Sequence, residues 1–324
     1  MKSTQGTTYR MLGSRLNDVA NQLEELRKIG ATGKKLNAPS DDPASIRPVL
    51  NTRKQISNVE RYMETMGKSL DTMQATDGHL EHVENIMQRA KEIMTNSVNG
   101  SLNAEDRTVL ADELASLRQE LLDAANGMVD GKYLFAGYEE DTKPFVQADP
   151  FDVLAFDPAV AATWPVSYQG DDHATSLEIT TGEEVVVNLT GNDLFFGTID
   201  WPSAAADGVQ PEAGRFNLFN EITLAEKALR TNDTVTMKAS LDKLEGAAEQ
   251  NRRLRSQLGN RASRVETSME YQEGVGIDLK QILSRYEDAD AIESFNAIVA
   301  QETAFQAALS VTGQVSQLSI LDFI

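Results

Sequence analysis

Proline is confined to two places in this chain. Pro39, Pro43 and Pro48 lie close together, and the other six, from Pro144 to Pro211, fall in the middle. A proline lacks the N–H that a helix interior uses and restrains the residue before it. Long helices can therefore form only in the two proline-free tracts and before Pro39. The apolar pattern agrees. From Tyr9 it steps by three and four through Leu12, Leu16, Val19, Leu23 and Leu26, a coiled-coil seam that closes at Gly30 and Gly33. So short a seam returns little against the entropy of ordering its backbone, which predicts an arm that needs a partner.

The segment 33–43 then stops one helix and starts another. Ser40 and Asp41 are natural N-caps, and Asp42-Pro43 suits a first helical turn. With Pro48 also opposed to a helix interior, the spacing predicts a hinge, followed by a helix from about Ser45 to Ser97. Its seam reads Ile56, Val59, Met63, Met66, Leu70, Met73, Leu80, Val83, Ile86 or Met87, and Ile93, with a kink expected at Asp77-Gly78. Asn99-Gly100 ends it, and Asn103 with Asp106 offers a capping start for the next helix. That helix carries Leu110, Leu114, Leu117, Leu121 and Ala124 and stops at Asn126-Gly127, antiparallel to its predecessor across a short turn.

Asp130-Gly131 turns the chain into a strand or hairpin arm over 133–138. From 141 to 215 thirteen acidic residues face two basic ones, and both tryptophans occur here. Thr163–Tyr168, Ser176–Thr180 and Glu184–Leu189 read as short strands between glycine-containing turns. Phe216, Leu218, Phe219 and Ile222 restart the helical pattern, which breaks at Thr231-Asn232-Asp233. A second seam follows through Met237, Leu241, Leu244, Ala248, Leu258, Ala262, Val265 and Met269, with Asn251 and Arg255 as polar register markers inside it. Gly274-Val275-Gly276 reads as the counterpart of the first hinge, and beyond it a terminal helix carries Leu279, Ile282, Tyr286, Ile292, Phe295, Ile298, Phe305, Leu309, Val315, Leu318 and Leu321.

The fold class expected is mainly α: a long helical coiled-coil or bundle rod built from both halves of the chain, with a small β-rich inserted domain. The divisions are 1–44 as an N-terminal arm and hinge, 45–140 and 216–275 as the two halves of the rod, 141–215 as the β-rich surface domain, and 276–324 as a C-terminal arm. Residues 1–60 carry ten basic and six acidic side chains, whereas 276–324 carry two and seven. Oppositely charged amphipathic arms behind flexible hinges suit pairing with each other or with neighbouring copies.

A formal net charge of −20 opposes nucleic acid as a partner. The chain has no cysteine, which removes disulfides and thiolate chemistry. No apolar run is long enough to span a bilayer, and Met1–Gln5 leads into polar sequence, with no conventional signal peptide expected. An aromatic content of 6% predicts no large aromatic core.

Sites of chemistry find little support. His79 and His82 are spaced i,i+3 and not as in a zinc-protease helix, and Gly30–Lys35 lacks the full spacing of a phosphate loop. Arg252, Arg253, Arg255, Arg261 and Arg264 read as partners for acidic neighbouring helices. The N-terminal arm has a narrow heptad seam, not the broad apolar face of a membrane-surface helix. No catalytic residue, metal site, cofactor or small-molecule substrate is expected. An enzyme using the acidic domain, with a metal at Asp171, Asp172 and His173, stands as one rival, and a secreted helical adhesin or translocator as another.

The segment Gly33-Lys34-Lys35-Leu36-Asn37-Ala38-Pro39-Ser40-Asp41-Asp42-Pro43 resembles the N-terminal signature of the bacterial flagellin superfamily. Three further stretches are similar: Asn99 to Arg107, Gly131 to Gly137, and the ending Leu318-Ser319-Ile320-Leu321-Asp322-Phe323-Ile324. The Pro-Ser-Asp-Asp-Pro form and the absence of a terminal leucine-arginine are nearer the hook–filament junction branch than flagellin proper, which remains the alternative. The resemblance covers about 1–145 and 216–324, and the run from Tyr168 to Phe196 is similar to the family's surface domain.

It implies a secreted structural subunit, exported unfolded without a cleaved signal peptide and assembled between hook and filament, where it templates flagellin assembly. The implied partners are copies of itself in a ring, the first junction protein on the hook side, flagellin or second junction-side subunits on the filament side, and an export chaperone docking on the C-terminal arm. The expected assembly interface pairs Tyr9, Leu12, Leu16, Val19, Leu23 and Leu26 with a seam around Phe295, Ile298, Phe305, Leu309, Val315 and Leu318. The hinge motif is Gly33, Asn37, Pro39, Ser40, Asp41, Asp42 and Pro43.

Overall fold

The computed structural model describes residues 2–100, 102–198 and 210–321. Six helices account for most of the described residues: α1 (Lys2–Thr32), α2 (Pro43–Asn99), α3 (Ala104–Ala125), α4 (Leu218–Thr231), α5 (Thr234–Glu287) and α6 (Ala291–Leu321). Among the described residues between α3 and α4 lie three two-stranded antiparallel ribbons. They pair β1 (Met128–Val129) with β2 (Lys132–Tyr133), β3 (Phe145–Gln147) with β4 (Val166–Tyr168), and β5 (Ser176–Thr180) with β6 (Glu183–Val186). The chain divides into two compact units, one made of 1–60 with 273–324 and the other of 61–272.

In the unit 61–272, charged pairs across the helices give their directions. His82 meets Glu120 and Arg89 meets Glu113, so α2 and α3 run antiparallel. Asp77 takes two hydrogen bonds from Arg255, Glu84 pairs with Arg252 and Lys91 with Glu245, which sets α5 antiparallel to α2. Arg118 and Arg230 hold the buried Glu226, joining α3 to α4. The core beneath these pairs is continuous, from Met66, Met73 and Leu80 on α2 through Leu114 and Leu121 on α3 to Leu244 and Leu258 on α5. The expected antiparallel α2–α3 pair and the capping box at Asn103 and Asp106 are both present.

Several elements depart from the sequence reading. The N-cap of α2 is Asp42, whose Oδ1 accepts from the Ala44 and Ser45 amides, not Ser40 or Asp41, and the helix starts at Pro43. Pro48 lies inside α2; close to the helix start it forfeits one backbone bond, while neighbouring Val49 and Thr52 are buried. Asp77-Gly78 interrupts nothing, because Arg255 engages Asp77 and Leu80 is fully buried one turn on. Gly274-Val275-Gly276 is likewise helical. Two glycines cost a helix roughly 2 kcal/mol, less than packing along a helix of this length recovers. The second break falls instead at 288–290, where Asp290 caps α6 by accepting from the Ile292 and Glu293 amides.

The middle segment packs as part of the unit 61–272 around an aromatic cluster that low overall aromatic content did not suggest. The Phe145 ring lies 5.0 Å from Tyr168 and from Phe195, 5.6 Å from Phe219 and 5.8 Å from Phe196, with Trp164 stacked on Phe196. Few aromatics suffice when they gather in one place. Gly191 makes room for them, since a Cβ there would stand 2.7 Å from the Phe145 ring. A π-helical turn over Asn192–Phe196 delivers Leu194, Phe195 and Phe196 to the cluster. Thr163, expected as strand, ends a 3₁₀ turn in which its hydroxyl bonds the Asp157 carbonyl, and β4 begins only after Pro165.

Candidate assembly interface

The unit 1–60 with 273–324 is built on α1 and α6. Heptad spacing leaves one narrow apolar edge on α1, where Leu12, Leu16, Val19 and Leu26 are half-buried and Leu23 is buried. Opposite it α6 presents Ser294, Ile298, Gln301, Phe305, Ala308 and Thr312, all half-buried, again at heptad spacing. Gln301 Nε2 donates to the Val19 carbonyl at 3.2 Å and to Gln22 Oε1 at 3.0 Å, and Arg27 pairs with Glu302 at 2.6 Å. These contacts make the pair antiparallel. Gly30 permits close approach, since a Cβ there would lie 2.8 Å from Ile298 Cδ1.

The structure therefore brings Leu12, Leu16, Val19, Leu23 and Leu26 onto the same edge as Ile298 and Phe305. Phe295 and Leu309 do not belong to that seam. They are 66% and 47% exposed, because Ser294 and Ala308 hold the seam positions and the next residue on a helix is turned about 100° away. Ile292, Val299 and Val311 are exposed as well. The side chains of Tyr9, Val315 and Leu318, and the ending 322–324, lie outside the described residues.

The hinge motif is a bonded loop and not a free joint. Gly33 ends α1 with φ +67°, a backbone that only glycine adopts without strain, and its amide donates to Ile29. Asp41 Oδ2 accepts from the Asn37 and Ala38 amides, and Asn37 Nδ2 donates to the Lys34 carbonyl at 2.6 Å. These bonds to the charged form lower the Asp41 pKa, and the Ser45 side chain and amide do the same for Asp42. Pro39, Ser40 and Pro43 are exposed, while Leu36 is buried beneath the loop.

Residues that the sequence reading missed complete this junction. The Glu287 carbonyl accepts from the Lys35 amide at 2.8 Å, and the Ala289 amide donates to the Gly33 carbonyl at 2.9 Å. The Glu287 carboxylate receives Lys34 Nζ at 2.9 Å and Arg53 Nε at 2.7 Å. Asp290 was legible as an N-cap before an apolar run. Nothing local marks Glu287 or Arg53.

The other sites considered have ordinary structural roles. Asp171 Oδ1 accepts from the Tyr138 and His173 amides, and the His173 ring stacks on Tyr138. His79 sits edge-on to Phe135, and burial, with His82 nearby, lowers its pKa. Arg252, Arg255 and Arg264 all pair with carboxylates. Among the described residues no group of three or more histidine, aspartate or glutamate side chains is arranged to hold a metal ion, and no helix is long and apolar enough to cross a membrane.

Paired terminal helices, long helices from both halves of the chain and a small β-containing segment between them define a mainly α, flagellin-like structural protein. The family model described as the bacterial flagellin N-terminal helical region matches residues 3–140. Flagellar hook-associated protein 3 of Escherichia coli is 26% identical over 97% of this chain and 98% of its own length. The Salmonella typhimurium protein of that name is 25% identical with the same coverage. A solved putative flagellar hook-associated protein from Vibrio parahaemolyticus shares the fold, with a TM-score of 0.63 at 17% identity over 76% of this chain and all of that one. These likenesses support a flagellin-superfamily protein of the hook–filament junction kind, and the relatives themselves are flagellar proteins.

Proposed function

We propose that the α1/α6 arm pair is the polymerising part of a hook–filament junction subunit, and that neighbouring copies cover the face α6 leaves exposed. The observation that carries this reading is the apolar set Ile292, Phe295, Val299 and Leu309, outward-facing on a helix whose other edge already packs on α1. Solvent-exposed apolar area of this kind is stabilised when a partner buries it. In assembly the subunit forms a ring, with the first junction protein on its hook side and flagellin or second junction-side subunits on its filament side. It templates flagellin assembly there. The chain leaves the cell unfolded, without a cleaved signal peptide, and an export chaperone engages the C-terminal arm. The lack of cysteine suits such a route. The acidic segment 141–215 keeps the particle soluble.

The test is assembly followed by light scattering and electron microscopy, with and without filament fragments as seeds. The protein is expected not to grow alone and to cap or join flagellar ends. Leu16→Asp or Phe305→Asp is expected to abolish incorporation while the unit 61–272 stays folded. Normal incorporation of either variant would exclude the arms as the interface, and indefinite growth would make the protein a filament flagellin.

A further inference from the structure

The two chain crossings that lead into the arm pair, 33–42 and 288–290, meet at one carboxylate. Glu287 is the last residue of α5, and its side chain is only 2% exposed. A carboxylate taken out of water is tolerated only when its oxygens are well paired. Here one oxygen receives Lys34 from the N-terminal crossing and the other receives Arg53 from α2. The same residue's carbonyl accepts from the Lys35 and Leu36 amides, at 2.8 and 3.4 Å, and the Ala289 amide closes back on the Gly33 carbonyl. Lys35 Nζ donates to the Arg285 carbonyl at 2.7 Å, on the last turn of α5. Each crossing is thus bonded to the other immediately before the helix that it leads to.

The arms need such a reference point. Their facing edges are only half-buried, and along α6 small and polar residues alternate with apolar ones: Ser294, Ile298, Gln301, Phe305, Ala308 and Thr312. A slip of one helical turn, about 5.4 Å, exchanges similar surfaces, so packing alone discriminates registers weakly. The polar contacts across the seam lie on half-buried or exposed side chains, Gln301 with the Val19 carbonyl and the exposed Gln22, and the exposed Arg27 with Glu302. We propose that Glu287 is a positioning residue that sets the register of α1 against α6, and with it the surface the arm pair offers to neighbouring copies. Its consequence for assembly rests on the junction reading above; its effect on register does not.

The chain has no cysteine, so engineered thiols report cleanly. Arg27→Cys combined with Glu302→Cys samples the observed register, and Arg27→Cys with Gln306→Cys samples one turn further. With a short bifunctional thiol reagent the first pair is expected to link about tenfold faster than the second, since register differences of this kind turn on charged hydrogen bonds. Glu287→Ala is expected to bring the two rates within about twofold and to speed exchange of the Lys35 and Ala289 amides roughly tenfold or more. Glu287→Asp, which keeps the charge, is expected to restore the preference. Should Glu287→Ala fail to fold, Arg53→Gln removes one cation from the exposed side and is expected to shift the ratio the same way. A lower thermal midpoint with an unchanged linking ratio overturns the proposal, as do equal rates for both pairs in the otherwise native chain. A ratio that responds as expected in a protein that joins no flagellar end upholds the positioning role and overturns the junction reading.

Discussion

The Asn251 side-chain amide donates to the main-chain carbonyl of Leu80 at 2.8 Å, with both residues fully buried. This contact ties α5 to α2 within the buried seam, with Glu84 at 3.3 Å beside it and the Arg255–Asp77 pair one turn further along α5. Asn251→Ala removes the donor and leaves a small void next to a buried carboxylate. It is expected to destabilise the unit 61–272 by about 1–3 kcal/mol, read as a lower denaturation midpoint at unchanged m-value.

Two glycines of α5 are expected to respond in opposite ways to the same substitution. Gly259→Ala meets no atom within 4 Å and is expected to stabilise by roughly 0.5–1 kcal/mol. A Cβ on Gly246 would stand 2.4 Å from the Phe216 ring, which precedes α4, so Gly246→Ala is expected to destabilise by about 1–3 kcal/mol. Thermal unfolding of the two variants side by side is the check, and equal shifts would refute the packing at Phe216.

Glu221 is largely buried, and desolvation raises its pKa above the ordinary 4.5, with Lys243 at 3.5 Å opposing that shift in part. A carboxyl whose folded pKa is raised contributes stability below its unfolded value and loses it as pH rises through the folded one. At neutral pH the charged form is therefore a cost. Glu221→Gln is expected to stabilise the protein at neutral pH and to lose that advantage below the ordinary carboxyl range. Denaturation midpoints measured across that interval give the answer.

Phe295 is 66% exposed on the outward face of α6, away from the seam with α1. Phe295→Ser is expected to leave the stability of the isolated chain within about 0.5 kcal/mol, while sharply reducing seeded incorporation. Loss of stability in the isolated chain would mean that the ring packs internally.

The helical plan was legible because proline placement and three-to-four spacing are local signals. Asn103 with Asp106 announced α3, Asn232 announced the α4–α5 break, and the register residues Asn251 and Arg255 stood out as polar positions in an apolar seam. Glycine misled at 78, 274 and 276, where a cost near 1 kcal/mol apiece was outweighed by tertiary packing. On α6, apolar residues surround so much of the helix that spacing could not say which edge would meet α1; hence Phe295 and Leu309 were grouped with a seam they do not join.

What the sequence determined by itself was where helices can and cannot run, the terminal arms' need for a partner, and the signature at 33–43. Only the tertiary structure decided that the second break falls at 288–290, that five scattered aromatics gather around Phe145, and that Lys34 and Arg53 converge on Glu287. The reason is distance along the chain. A cap or a proline acts on its immediate neighbours, whereas Glu287 lies more than two hundred residues from both of its cations, and a carboxylate becomes a clasp only where folding buries it between them.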